Sequence, residues 1–185
     1  DPSIVVKDYN KKSSKIETCL EILRDSINEN HKILLFSQFT SVLKNISKEL
    51  DKYKIKYHYI DGKTNAKERL ELVDEFNNSM DKKVFLISLK AGGTGLNLTS
   101  ADMVIHFDPW WNPSVENQAS DRAHRFGQKN SVQVIKLIAK GTIEEKIIKL
   151  QESKKELINQ FINGELSNEG VLKSLSDEEI INLFN

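Results

Sequence analysis

One cysteine, Cys19, is all that 185 residues offer for sulfur chemistry, so no internal disulfide can form. That suits a reducing compartment. On the apolar face of its helix the thiol reads as a small core residue and not as a nucleophile. The four histidines (His31, His58, His106 and His124) are scattered, with neither metal-ligand spacing nor a Ser or Cys elbow beside them. No apolar run approaches the roughly 20 residues that span a bilayer, and no signal peptide opens the sequence. Net charge is lacking too: 27 Lys and Arg face 27 Asp and Glu. Any nucleic-acid surface must therefore be a local patch. The sequence starts at Asp1-Pro2 without an initiator Met, as expected of a piece cut from something larger or of a processed start.

What is present is a regular alternation. Ser14 and Glu17 read as a capping box ahead of Ile16, Leu20, Leu23 and Ile27 at helical spacing. Strand Ile33–Phe36 follows, then a helix with Leu43, Ile46 and Leu50, then strand Tyr57–Ile60 and the turn Asp61-Gly62. Asn65 with Glu68 starts a helix whose inner face carries Val73 and Phe76. Val84–Ser88 and Met103–Phe107 are continuous apolar runs, the mark of strands buried on both faces. Pro113 opens a helix over Ser114–Arg125, Val132–Ile138 gives a last strand, and Thr142 with Glu145 caps a long final helix. The expected fold is α/β, a parallel sheet sandwiched by helices, with a C-terminal helical appendage. In such folds ligands bind beyond the carboxyl ends of the strands. FSQFT, DGKT, SLKAGGTGLN and FDPWWNP all fall there.

Three segments could carry chemistry. In QASDRAHRFGQ, Val115, Ala119, Ala123 and Phe126 form an apolar stripe bordered by Gln118, Arg122 and Arg125 at i, i+4, i+7. Two guanidinium groups fixed at such a border can stabilise a transferring phosphoryl group. They can equally pair with Asp121 or Glu116 on an ordinary surface helix. AGGTGLN places three glycines after a strand, so backbone N–H groups can approach a phosphate or simply turn. It is not a Walker A loop, since no Gly-Lys-Ser/Thr follows it, and it is a poor dinucleotide fingerprint, since Leu98 stands where a third glycine belongs. Trp110 and Trp111, between two prolines, point opposite ways if extended. One could then be buried and the other free to meet nucleic acid, or both could belong to the core.

FSQFT, DGKTNAKER, SLKAGGTGLNLTSADMVIHFDPWWNP and QASDRAHRFGQ, in this order, resemble the second-lobe signatures of the Swi/Snf family of the second helicase superfamily. GTIEEKIIKLQESKKEL resembles that family's bracing helix. The likeness covers roughly residues 13 to 160, and several motifs in register make it specific. It implies a RecA-like helicase C-terminal lobe over 13–140, a bracing helix over 141–164 and a helical tail over 165–185. Residues 1–12 resemble the end of the segment joining the lobes. It also implies arginine fingers at Arg122 and Arg125, and nucleotide-facing Gly93, Gly95 and Gln118. Duplex-DNA contacts fall on Gly62, Lys63, Ser88, Lys90 and Trp111. Leu89 stands where many members carry Thr. ATP and Mg2+ would be held mainly by a first RecA-like lobe carrying the Walker A lysine and the DExx acids, and no metal site is expected here. The implied partners are that lobe, duplex DNA, and a DNA-bound protein or polymerase, with no membrane. The implied setting is the nucleoid or a nucleus, and the tail LSDEEIINLF has a bacterial style. A lobe of a strand-separating helicase or RNA-dependent ATPase is the alternative, and a phosphate-binding α/β enzyme or inert scaffold is a third reading.

Overall fold

A computed structural model describes residues 13–92, 95–123 and 131–162. The expectations placed on residues 1–12, Gly93, His124, Arg125 and the tail 165–185 lie outside the described residues.

Along the chain come α1 (Ser14–Asn28), β1 (Ile33–Ser37), α2 (Thr40–Lys52), β2 (Tyr57–Ile60) and α3 (Ala66–Asn78). Next are β3 (Val84–Ser88), the short α4 (Leu89–Gly92), β4 (Met103–His106), α5 (Pro113–Ser120), β5 (Gln133–Lys136) and α6 (Ile143–Ile162). The five strands form one sheet in the order β2-β3-β1-β4-β5. Every pair is parallel. All their carboxyl ends therefore lie on one edge, and the four motif loops gather there.

Strand periodicity divides the core into two layers. Ile33 and Leu35 of β1 face α1 and α2, where Leu20, Leu23, Leu43, Ile46 and Leu50 are buried. Leu34 and Phe36 face the opposite side, against Val73 and Phe76 of α3 and Ala119 of α5. Both faces of the sheet are thus covered, which is why β1 and β3 are apolar at nearly every position. Cutting any such fully buried leucine to alanine costs about 2–5 kcal/mol.

Local signals decide two helix starts clearly. Asn65 caps α3 by accepting the Glu68 N–H at 2.9 Å. Asn112 caps α5 and Pro113 occupies its first turn. The capping box assigned to Ser14 is corrected. Ser13 holds the N-cap position of α1, in extended conformation, and makes no side-chain cap bond. Ser14 is already helical, so its hydroxyl is misplaced for that task.

β4 ends one residue early, at His106, and two elements are markedly shorter than their patterns suggest. α5 stops at Ser120 instead of running to Arg125. Arg122 N–H turns to the Ala119 carbonyl and Ala123 N–H to the Ser120 carbonyl, the tighter i→i+3 closure of a helix end. β5 keeps four residues of the expected seven and is largely exposed, because it closes one edge of the sheet.

Candidate functional site

At the head of β1, FSQFT is fixed to the β4 loop by one carboxylate. Asp108, 5% exposed, accepts from Ser37 Oγ at 2.7 Å and from Gln38 N at 2.8 Å. Burial pushes its pKa up, and those two hydrogen bonds oppose the shift. Phe39, next in the loop, is left exposed.

The DGKT turn after β2 is tied internally. Asp61 Oδ1 accepts from Lys63 N at 2.8 Å, and Arg69 Nε donates to the Thr64 carbonyl at 2.8 Å. Gly62 and Lys63 stand exposed at its tip. A Cβ at Gly62 would meet nothing within 4 Å, so packing does not demand glycine there.

After β3, Ser88 is buried and Lys90 exposed, one on the strand end and the other on α4. Leu89 between them lies in the α3-side core, which accounts for an apolar residue at that position. Gly92 carries a constraint that its motif did not reveal. A Cβ there would approach Phe36 Cε1 to 2.9 Å, so α4 rests on β1 only without a side chain. Gly95 has φ +67° and open space around it, so its backbone turn itself favours glycine.

The glycine loop and the arginine motif meet through the backbone. Leu98 N–H donates to the Arg122 carbonyl at 3.0 Å. Arg122 itself is 4% exposed, with Ala119 and Ala123 beside it in the core and Gln118 out in solvent.

The FDPWWNP segment departs from the expected alternation. It bends, and the Trp110 and Trp111 rings remain neighbours, with centroids 6.2 Å apart and a 38° tilt. They do differ in burial: Trp110 packs on the α3-side core, whereas Trp111 is 36% exposed. Spacing offered Glu116 as a partner for the arginines. Instead it accepts the Trp110 N–H at 2.5 Å and pairs with Lys136 Nζ at 2.5 Å. Gln151 of α6 joins the same carboxylate at 3.0 Å. Glu116, Lys136, Gln151 and Asp108 are the site-shaping residues that motif reading missed. Only the folded arrangement of strands and helices reveals them, because their sequence separations run to 71 residues. His106, under this network, is stacked on Phe36 and touches Ser120 Oγ at 2.9 Å. Burial lowers its pKa to about 4, with Glu116 opposing and Lys136 assisting.

Among the described residues no three His, Cys, Asp or Glu side chains converge on a possible metal position. No described helix is long and apolar enough to cross a membrane.

Residues 14–127 match the helicase conserved C-terminal domain. An uncharacterized ATP-dependent helicase of Mycoplasma pneumoniae is 45% identical over 93% of this chain and 16% of its own length. A SWI/SNF-related matrix-associated actin-dependent regulator of chromatin of Xenopus tropicalis (subfamily A containing DEAD/H box 1) is 44% identical. That match covers 86% of this chain and 16% of the relative. The crystal structure of the C-terminal part of the Fun30 ATPase domain superposes with a TM-score of 0.74 at 39% identity, over 80% of this chain and 48% of that one. The chain thus spans about 16% of the length of these curated relatives. With the parallel sheet, the motif loops on one edge and these likenesses together, the chain belongs to the helicase C-terminal domains of Swi/Snf type, and its fold is their RecA-like second lobe.

Proposed function

We propose that this chain is the second motor lobe of a protein that hydrolyses ATP and translocates on duplex DNA to remodel protein–DNA complexes. The observation that carries the reading is the Leu98–Arg122 backbone bond. It ties the segment after the glycine loop to the arginine motif, which supports reading the two as parts of one nucleotide-facing surface. On that surface Arg122 and Arg125 are the arginine fingers, and Gly93, Gly95 and Gln118 face nucleotide. Lys63 and Lys90 are exposed along the carboxyl edge of the sheet, as is Trp111 on the β4 loop, and these grip the duplex. Gly62 and Ser88, next to these lysines in their motifs, complete the proposed DNA contacts.

The residues present fit ATP as an incomplete half-site. A left-handed Gly95 with open space leaves room for close approach, while among the described residues no carboxylate cluster is available for Mg2+. ATP supplies the phosphoryl group whose transfer drives the cycle. This lobe's share is to present fixed positive charge when it closes on the first lobe. The whole protein's partners are then duplex DNA and whatever protein sits on it, in a bacterial cytoplasm or a nucleus.

The test is the ATPase rate of the full-length protein with no nucleic acid, with single strands, with duplex DNA and with RNA. Stimulation by duplex above the other three is expected; stimulation by single strands or RNA instead favours the strand-separating or RNA-dependent alternative. Arg122→Ala or Arg125→Ala should lower turnover by roughly 1,000-fold while nucleotide binding persists. Lys at either position should restore little, lacking the planar fork.

A further inference from the structure

The loop that presents Trp111 is held from outside itself. Trp110 N–H donates to Glu116, and the Trp110 carbonyl accepts from Gln151 Nε2 of α6. Gln151, 6% exposed, also donates to Glu116, whose second oxygen pairs with Lys136 of β5. One turn further along α6, Lys154 Nζ stands 5.2 Å from the centroid of the Trp111 ring. Both backbone polar groups of Trp110 are therefore fixed by side chains of other elements, and the neighbouring ring lies under a cation from α6.

A helix that served only as a prop would bury apolar side chains. Here α6 instead directs a buried amide and an ammonium at two adjacent residues. Hydrogen bonds on both sides of one residue fix the two flanking peptide planes, and these decide the direction in which the next side chain leaves. A cation near an indole adds an orientation-dependent attraction. Glu116, 1% exposed, would be costly to bury without these donors, so the cluster holds together as a unit.

We infer that Gln151 and Lys154 are positioning residues for Trp111, holding its ring in the orientation that meets duplex DNA. The placement of α6 then sets the grip of a loop 41 residues earlier in the chain. This rests on the duplex contact proposed for Trp111.

The test uses the full-length protein labelled with fluorotryptophan. In its fluorine NMR spectrum the Trp111 line is the one that vanishes in Trp111→Phe. Gln151→Ala should shift or broaden that line with no nucleic acid present. It should also raise the duplex concentration for half-maximal ATPase about fivefold, the size of one net hydrogen bond, and more than it lowers saturated turnover. In a Trp111→Ala background the same change should add less than twofold. Lys154→Ala, at a half-exposed position that folding tolerates, should act in the same direction, and Lys154→Arg should restore the line. An unmoved Trp111 line in both alanine variants overturns the inference, as does a Gln151→Ala effect that adds in full to Trp111→Ala. If the line moves but Trp111→Ala leaves duplex dependence normal, the positioning stands and the DNA contact of Trp111 is what fails.

Discussion

Trp110 and Trp111 share a peptide bond but not an environment, and their substitution should separate packing from surface function. Trp110 is half-buried on the α3-side core and hydrogen-bonded through both backbone groups. Its removal should cost about 2–3 kcal/mol, less than the roughly 3–5 of a fully buried aromatic, because part of the ring is already wet. Trp111 stands to lose chiefly the Lys154 contact and its neighbour's ring, so Trp111→Ala should change stability by less than about 1 kcal/mol. In the full-length protein that same change should lower duplex-stimulated translocation more than basal hydrolysis. Thermal melting beside the two activity assays checks both halves. Earlier melting of Trp111→Ala than of Trp110→Ala would reverse the assignment. The sequence left two readings open, one ring buried and one free or both in the core. It could not reveal which neighbours make them differ, since Glu116 and Gln151 reach the segment only through folding.

Among the elements, β4 and β5 with α5 and α6 enclose a small set of ionisable groups under one roof. His106 lies there at 1% exposure, facing Glu116 of α5 and Lys136 of β5. Desolvation first, then Lys136, lowers its pKa to about 4, against an ordinary 6.5. The folded state therefore stays unprotonated while the unfolded chain takes up a proton. Stability from this group is complete above pH 6.5 and falls as pH drops toward 4, by at most about 1.4 kcal/mol per pH unit. Burial lowers the pKa of His58 in the same sense, so His106→Asn should reduce the slope without abolishing it. Urea unfolding midpoints from pH 4 to 7 decide the point; an unchanged slope in His106→Asn removes His106 from the account. The same elements show what a sequence can carry at this scale. β1, β3 and β4 were legible because burial on both faces leaves a continuous apolar run. Asn65 was legible because its cap is local. The early end of α5 was not, since a bond from Leu98, 24 residues earlier, engages the turn that follows the helix. Nor was the brevity of β5, whose Val134 stays exposed at the sheet edge, as does Ile138 beyond the strand's end.

For the whole molecule, the proposed division of labour between two lobes expects this one to be a poor enzyme by itself. Its carboxyl edge presents Phe39, Lys63, Lys90 and Trp111 to solvent, the arrangement of a surface that works against something else. Phosphoryl transfer needs the nucleotide's phosphates and metal held in line before any guanidinium can act on the developing charge. The 185-residue sequence contains no complete G-x-x-x-x-G-K-Ser/Thr loop for the phosphates, since Gly62-Lys63-Thr64 has Tyr57 where the first glycine belongs. Among its described residues no carboxylates gather for the ion. The role proposed for Arg122 and the glycine loop is to stabilise a transition state assembled together with the first lobe. The purified chain should therefore bind ATP weakly and turn it over at least roughly 1,000-fold more slowly than the full-length protein under saturating duplex. A coupled phosphate-release assay on both proteins measures the ratio. Comparable turnover would mean that the whole catalytic site lies within these 185 residues, and the division of labour between two lobes would have to be abandoned.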